Sequence, residues 1–154
     1  MNPLSQHGNT FTDLVLEIFR VNRLLLDAGD QLTKPVDLSS ARWQVLGVVE
    51  HGPIPVAHVA RIMGLTRQSV QQTADSLAAD GLIAYSENPH HRRAKLMTLT
   101  TKGREALDYV QERHADWANQ LGATHTLEDL RTAVQVLRQI RESLDPNPQT
   151  EAND

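Results

Sequence analysis

Two short stretches of this sequence carry side chains suited to chemistry with a polyanion. Residues 88–100 read NPHHRRAKLMTLT and gather His90, His91, Arg92, Arg93 and Lys95 within six positions. Cations at that density attract phosphate, and arginine in addition favours narrow grooves of negative potential. Residues 66–72 read TRQSVQQ, in which Arg67, Gln68, Ser69, Gln71 and Gln72 offer guanidinium, amide and hydroxyl groups, with no carboxylate before Asp75. Glutamine can pair with adenine, arginine with guanine, and serine with bases or phosphates. A solvated helix face ordinarily mixes Glu with Lys, so the missing Glu is informative.

The chain as a whole is acidic, with a formal net charge of -4 over 154 residues. That average hides an asymmetry. Residues 41–104 hold eight Lys/Arg against four Asp/Glu, whereas residues 1–40 hold three against five and residues 105–154 four against ten. A basic middle between acidic flanks suits a face built for nucleic acid, set on arms that the polyanion does not touch.

Both stretches need elements to hold them. Leu14, Val15, Ile18, Val21, Leu25 and Leu26 recur at helical spacing, which predicts an amphipathic helix from Phe11 to about Leu32, broken at Lys34-Pro35. A short, mostly buried helix follows from an N-cap at Ser39, through Trp43, Val45, Leu46, Val48 and Val49, to a stop at His51-Gly52-Pro53. Next come two helical patterns, one with Val56, Val59, Ala60 and Met63 inward, the other with Val70, Ala74, Leu77 and Ala78 inward. They are joined by Gly64-Leu65-Thr66. That is a helix-turn-helix pattern, in which Ala60 permits close approach, Gly64 accepts an unusual backbone conformation and Thr66 caps the second helix. After the stop at Asp80-Gly81, Leu82 to Tyr85 starts a strand and the alternating LMTLT its antiparallel partner. The cation-rich NPHHRRAK is therefore the tip of a β-hairpin, a wing placed to reach along a phosphate backbone.

With these elements in order, the chain resembles the MarR family of bacterial winged-helix transcription regulators. The resemblance rests on LSSARWQVL, on HVARIMGLTRQSVQQTADSLAADGLI, and above all on RRAKLMTLTTKGREAL, which is similar to the family pattern D-R-R-x-x-x-x-x-L-T-x-x-G. It implies an obligate homodimer whose N- and C-terminal helices interlock and whose two winged lobes bind successive major grooves of a pseudo-palindromic site in double-stranded DNA. It also implies a repressor released by a small aromatic or anionic effector, bound between the dimer arms and the winged lobe. Phe19, Arg23 and Trp43 are the candidate effector-binding residues, although Trp43 also reads as core. Arg93 carries over as the groove-inserting residue of the wing. The family's wing aspartate is replaced here by His91, which takes away one means of holding Arg93 and offers a donor to phosphate when protonated.

The expected fold is mainly α (α+β), with a winged helix-turn-helix lobe at residues 39–104. Residues 1–38 form an N-terminal dimerisation helix, residues 105–146 form C-terminal dimerisation helices, and residues 147–154 form a disordered tail. Leu107, Val110, His114, Trp117 and Leu121 read as a helix-packing seam, and Leu127, Leu130, Val134, Leu137, Ile140 and Leu144 as a second stripe behind a cap at Thr126. Such stripes outside a closed lobe call for a symmetric partner. The expected DNA-reading set is Thr66, Arg67, Gln68, Ser69, Gln71, Gln72, Arg92, Arg93 and Lys95.

Other classes are weaker. The sequence holds no G-x-S-x-G, P-loop, dinucleotide or H-E-x-x-H motif, so no enzyme is expected. Seven histidines raise a zinc-responsive alternative, but none of their pairings has a helical ligand spacing and there is no cysteine; no metal or cofactor is expected. A winged helix that binds protein is the remaining alternative. No apolar run reaches membrane-span length and the start lacks a leader pattern, so a cytoplasmic protein with no membrane partner is expected.

Overall fold

Small polar side chains set the starts of the helices. The structure, a computed structural model, describes residues 3–145. Helix α1, Gln6–Thr33, is capped by Ser5, whose Oγ accepts from the Gly8 amide at 3.1 Å. It begins five residues before the expected Phe11, because the polar first turns carry no apolar period and only the cap marks them. A single 3-10 turn, Lys34–Val36, follows. Helix α2, Ser40–Val49, starts at the expected cap, with Ser39 Oγ accepting from Arg42 N at 3.3 Å. Two further helices, α3 at Val56–Met63 and α4 at Arg67–Ala79, form the helix-turn-helix. Helix α5 spans Thr101–Gly122 and α6 spans Leu127–Leu144, the latter capped by Thr126, which accepts from the Asp129 amide.

The wing strands β2, Ile83–Ser86, and β3, Leu96–Leu99, pair antiparallel with Tyr85 opposite Met97. A third strand, β1 at Ile54–Pro55, pairs with the other edge of β3, giving the order β1-β3-β2. Sequence reading missed β1, since two residues cannot show an alternating period and proline is confined to sheet edges.

The chain divides into two compact units, Met1–Arg113 and His114–Asp154. In the first, Val45, Leu46, Val49, Val59, Val70, Leu77, Met97, Leu107 and Val110 are almost wholly buried in one core. Leu107 and Val110 were expected on a dimer seam, and here the fold corrects the reading. Their helical spacing was right, but the surface that covers them belongs to this chain's own winged lobe. The core of the first unit thus takes in Leu107 and Val110 of α5. Glu50 reinforces the joint by accepting from Arg104 at 2.6 Å and from Gln111 at 2.9 Å. The foot of α1 is held just as firmly, because the Ser40 amide donates to Asp30 Oδ1 at 2.7 Å and its hydroxyl donates to Leu26 O at 2.8 Å, directly against Gly29.

In the second unit, the rings of His114 and Trp117 lie 5.8 Å apart, centroid to centroid, tilted by 37°. The apolar stripe of α6 lies in solvent: Leu127, Leu130, Val134, Leu137 and Leu144 are all exposed. The expected disordered tail, residues 147–154, lies outside the described residues. Among the described residues, no helix is long and apolar enough to cross a membrane.

Candidate nucleic-acid interface

The turn between α3 and α4 is built as its residues dictate. Gly64 takes φ +64°, the left-handed region that a side chain resists, and this lets Leu65 N bond back to Ala60 O at 2.9 Å. Thr66 then caps α4, its Oγ1 accepting from Ser69 N at 3.1 Å. Val70, Ala74 and Leu77 face the core, which leaves Arg67, Gln68, Ser69, Gln71 and Gln72 exposed on the opposite side.

The wing is ordered by a residue that sequence reading did not single out. Asn88 is buried at the base of the tip, where its Oδ1 accepts from His90 N at 3.0 Å and its carbonyl accepts from His91 N at 3.2 Å. A second turn follows, closed by Ala94 N on His91 O at 3.0 Å. Arg92, Arg93 and Lys95 stand exposed on this frame. The local signal was available, since asparagine favours such side-chain-to-backbone turns.

Helix and wing meet in a cleft of about 560 Å³, lined by Arg67, Gln68, Gln71 and Asp75 of α4, by Tyr85 of β2, by Arg93, Ala94 and Lys95 of the wing, and by Val56 and Ala57 of α3. Five of the nine expected reading residues, Arg67, Gln68, Gln71, Arg93 and Lys95, therefore share one concavity. Thr66, Ser69, Gln72 and Arg92 do not line it. Its three cations face the single carboxylate of Asp75, which is occupied: Gln71 Nε2 and Tyr85 Oη each donate to Asp75 Oδ1 at 2.8 Å. Burial, then the hydrogen bond to Asp75 and its negative charge, push the Tyr85 phenol up to about 12, with the bond from Gln71 pulling the other way. The roles of Asp75 and Tyr85 were missed. The Gln71/Asp75 spacing of four was legible, but the approach of Tyr85 was not.

The candidate effector residues are less concentrated. Phe19 is 68% exposed on α1, Arg23 pairs with Asp27 one turn on at 3.0 Å, and Trp43 is half-buried against the core. None of them lines the cleft. Among the described residues, no three of His, Asp and Glu gather closely enough to hold a metal ion.

A helix-turn-helix followed by a cation-tipped β-hairpin defines a winged-helix protein of the DNA-binding class. A family profile described as MarR family matches residues 36–94. An uncharacterized protein of Mycobacterium tuberculosis is 38% identical over 100 residues, which cover 65% of this chain and 70% of that one. Among solved structures, Sco5413, a MarR family transcriptional regulator from Streptomyces coelicolor, is 27% identical and superposes with a TM-score of 0.76, covering 88% of this chain and 96% of that one. A mutant MarR from E. coli, complexed with operator DNA, shares the fold at 20% identity and a TM-score of 0.78, covering 88% of this chain and 99% of that one. The chain belongs to the MarR family, whose members are non-enzymatic, DNA-binding transcription regulators.

Proposed function

We propose that this protein is a ligand-responsive repressor that binds a pseudo-palindromic site in double-stranded DNA as a homodimer. The observation that carries the DNA reading is the cleft, in which base-reading amides and guanidinium of α4 share one surface with the cations of the wing. In this reading α4 enters the major groove, with Gln68, Gln71 and Arg67 toward base edges, while Ser69, Gln72 and the cap at Thr66 meet the flanking backbone. Arg93 enters the adjacent minor groove, and Arg92 and Lys95 follow phosphates.

The homodimer is supported by large apolar side chains left in solvent on α1, among them Phe11, Phe19, Leu24 and Leu25, and by the exposed stripe of α6. A monomer seldom leaves such stripes bare, and a second copy of the chain offers the matching surface. Residues 1–38 and the C-terminal helices are the proposed arms. For the effector, Phe19 supplies an aromatic face and Arg23 a cation whose pairing with Asp27 an anion can displace; Trp43 is the candidate on α2.

Selection of bound duplexes from a random pool tests the proposal. It predicts an inverted repeat with half-sites one helical turn apart, about 34 Å, and release by small aromatic carboxylates. Enrichment of no sequence refutes the DNA reading. A monomer by sedimentation refutes the dimer.

A further inference from the structure

Helix α1 is held to the winged lobe at its foot. It is a rod of 28 residues, about 42 Å long at about 1.5 Å per residue, and among the described residues of α1 only Gly29 and Thr33 are buried. Toward its N-terminal end Phe11, Leu16, Phe19, Leu24 and Leu25 stay in solvent. The joint at the foot has main chain in every bond. The Ser40 amide of α2 donates to Asp30 Oδ1 at 2.7 Å, and the Ser40 hydroxyl, on a buried residue, donates to the main-chain oxygen of Leu26 at 2.8 Å. Across the turn between the helices, Leu38 N donates to Thr33 O at 3.2 Å. Gly29 allows this approach, because a Cβ there would fall well inside contact distance of Ser40 Oγ.

We infer that Gly29, Asp30 and Ser40 are positioning residues that set the distance between the two reading helices of the dimer. The inference rests on the homodimer proposed above, in which α1 is an arm gripped by the partner and α2 belongs to the lobe that carries α4 and the wing. The direction in which each lobe leaves its arm is then fixed at this joint. A swing of about 10° there, at a lever of about 20 Å within a domain about 30 Å across, moves α4 by about 3.5 Å. The rise of one base pair is about 3.4 Å, so that much play makes neighbouring half-site spacings equally acceptable. The single 3-10 turn between the helices, Lys34–Val36, supplies only covalent continuity. The bonds through Ser40 remove the play, since each ends on main chain and leaves little slack.

Affinity of the full-length protein for duplexes that carry its selected half-sites, at the selected spacing and with one base pair added or removed between them, tests the joint. The parent should bind the altered spacings about tenfold more weakly or worse. Ser40→Ala and Gly29→Ala both part the hydroxyl from Leu26 O, the first by deleting it and the second by displacing it. Each should bring the spacing penalty below about threefold while leaving base preference within a half-site unchanged, and Gly29→Ala should add nothing to Ser40→Ala. Asp30→Asn keeps an acceptor oxygen for the Ser40 amide and should keep the parent's profile, whereas Asp30→Ala should flatten it. A merely structural role lowers Tm and leaves the spacing profile alone. Variants that bind with the parent's full spacing penalty therefore overturn the inference while the homodimer stands. A dimeric parent indifferent to spacing also overturns it. A parent that sediments as a monomer removes the homodimer and the inference together.

Discussion

Replacing Gly103 by alanine tests how the family's L-T-x-x-G pattern works, here Leu99 to Gly103. A Cβ on Gly103 falls 2.0 Å from the carbonyl oxygen of Leu82 and 2.9 Å from its carbon. Ordinary contact begins near 3.4 Å, so α5 and the Leu82 backbone must part by about 1.4 Å. Neither atom is the free end of a flexible side chain. The same Leu82 oxygen accepts from Thr100 N at 3.1 Å, and Gly103 N donates to Thr100 Oγ1 at 3.0 Å, so the displacement breaks two hydrogen bonds worth about 1 kcal/mol each. Overpacking against the core adds about 1–3 kcal/mol, and the better helix propensity of alanine returns about 1 kcal/mol. The net loss is about 2–4 kcal/mol, a fall in Tm on the order of 10 °C. Thermal unfolding followed by circular dichroism at fixed protein concentration measures it. Gly47→Ala is the control: a Cβ there meets nothing within 4 Å, so that variant should be as stable as the parent or up to about 1 kcal/mol more so. A Gly103→Ala protein that melts with the Gly47→Ala protein refutes the account of the motif.

The raised Tyr85 phenol makes its share of stability complete below about pH 10, and that share is lost as pH rises from about 10 through about 12. Phenolate absorbance should show Tyr85 ionising late, and Asp75→Asn should bring its midpoint down; an unchanged midpoint contradicts the network. Leu107→Ala, which empties a fully buried site, should cost about 2–5 kcal/mol in urea unfolding. Leu130→Asp, on the exposed stripe, should instead leave the fold's circular dichroism intact and shift sedimentation from dimer toward monomer; equal dimer content in both proteins contradicts the proposed arms. Arg93→Ala should weaken DNA binding without changing oligomeric state, and should lower the slope of log affinity against log salt by up to about one if the guanidinium neutralises one phosphate charge. An unchanged isotherm removes Arg93 from the interface.

Much of this molecule was legible because its signals are local. Ser39, Thr66 and Thr126 cap the helices that their position announced, and Gly64 ends α3 in the left-handed conformation that its type allows. The hairpin was legible from alternation in Leu96 to Thr100. What was not legible depends on contacts far apart in sequence. The period of Leu107 and Val110 says that one side of a helix is covered but not by what, and the covering surface proved to be this chain's own core. Strand β1 exists only because β3 lies beside it. The contact between Gln71 and Tyr85, fourteen residues on, shows only in the fold. Asn88 was readable in principle, as an asparagine heading a turn, and was hidden by the cations that follow it.

The most direct test of the central claim, that α4 and the wing read duplex DNA from one cleft, is hydroxyl-radical footprinting of the wild-type protein on its selected duplex, beside Gln68→Ala and Arg93→Ala. The account predicts protection in blocks one helical turn apart, with altered base preference in the first variant and weakened protection centred on the flanking minor groove in the second. Footprints identical for all three proteins, in position, sequence and strength, would contradict it.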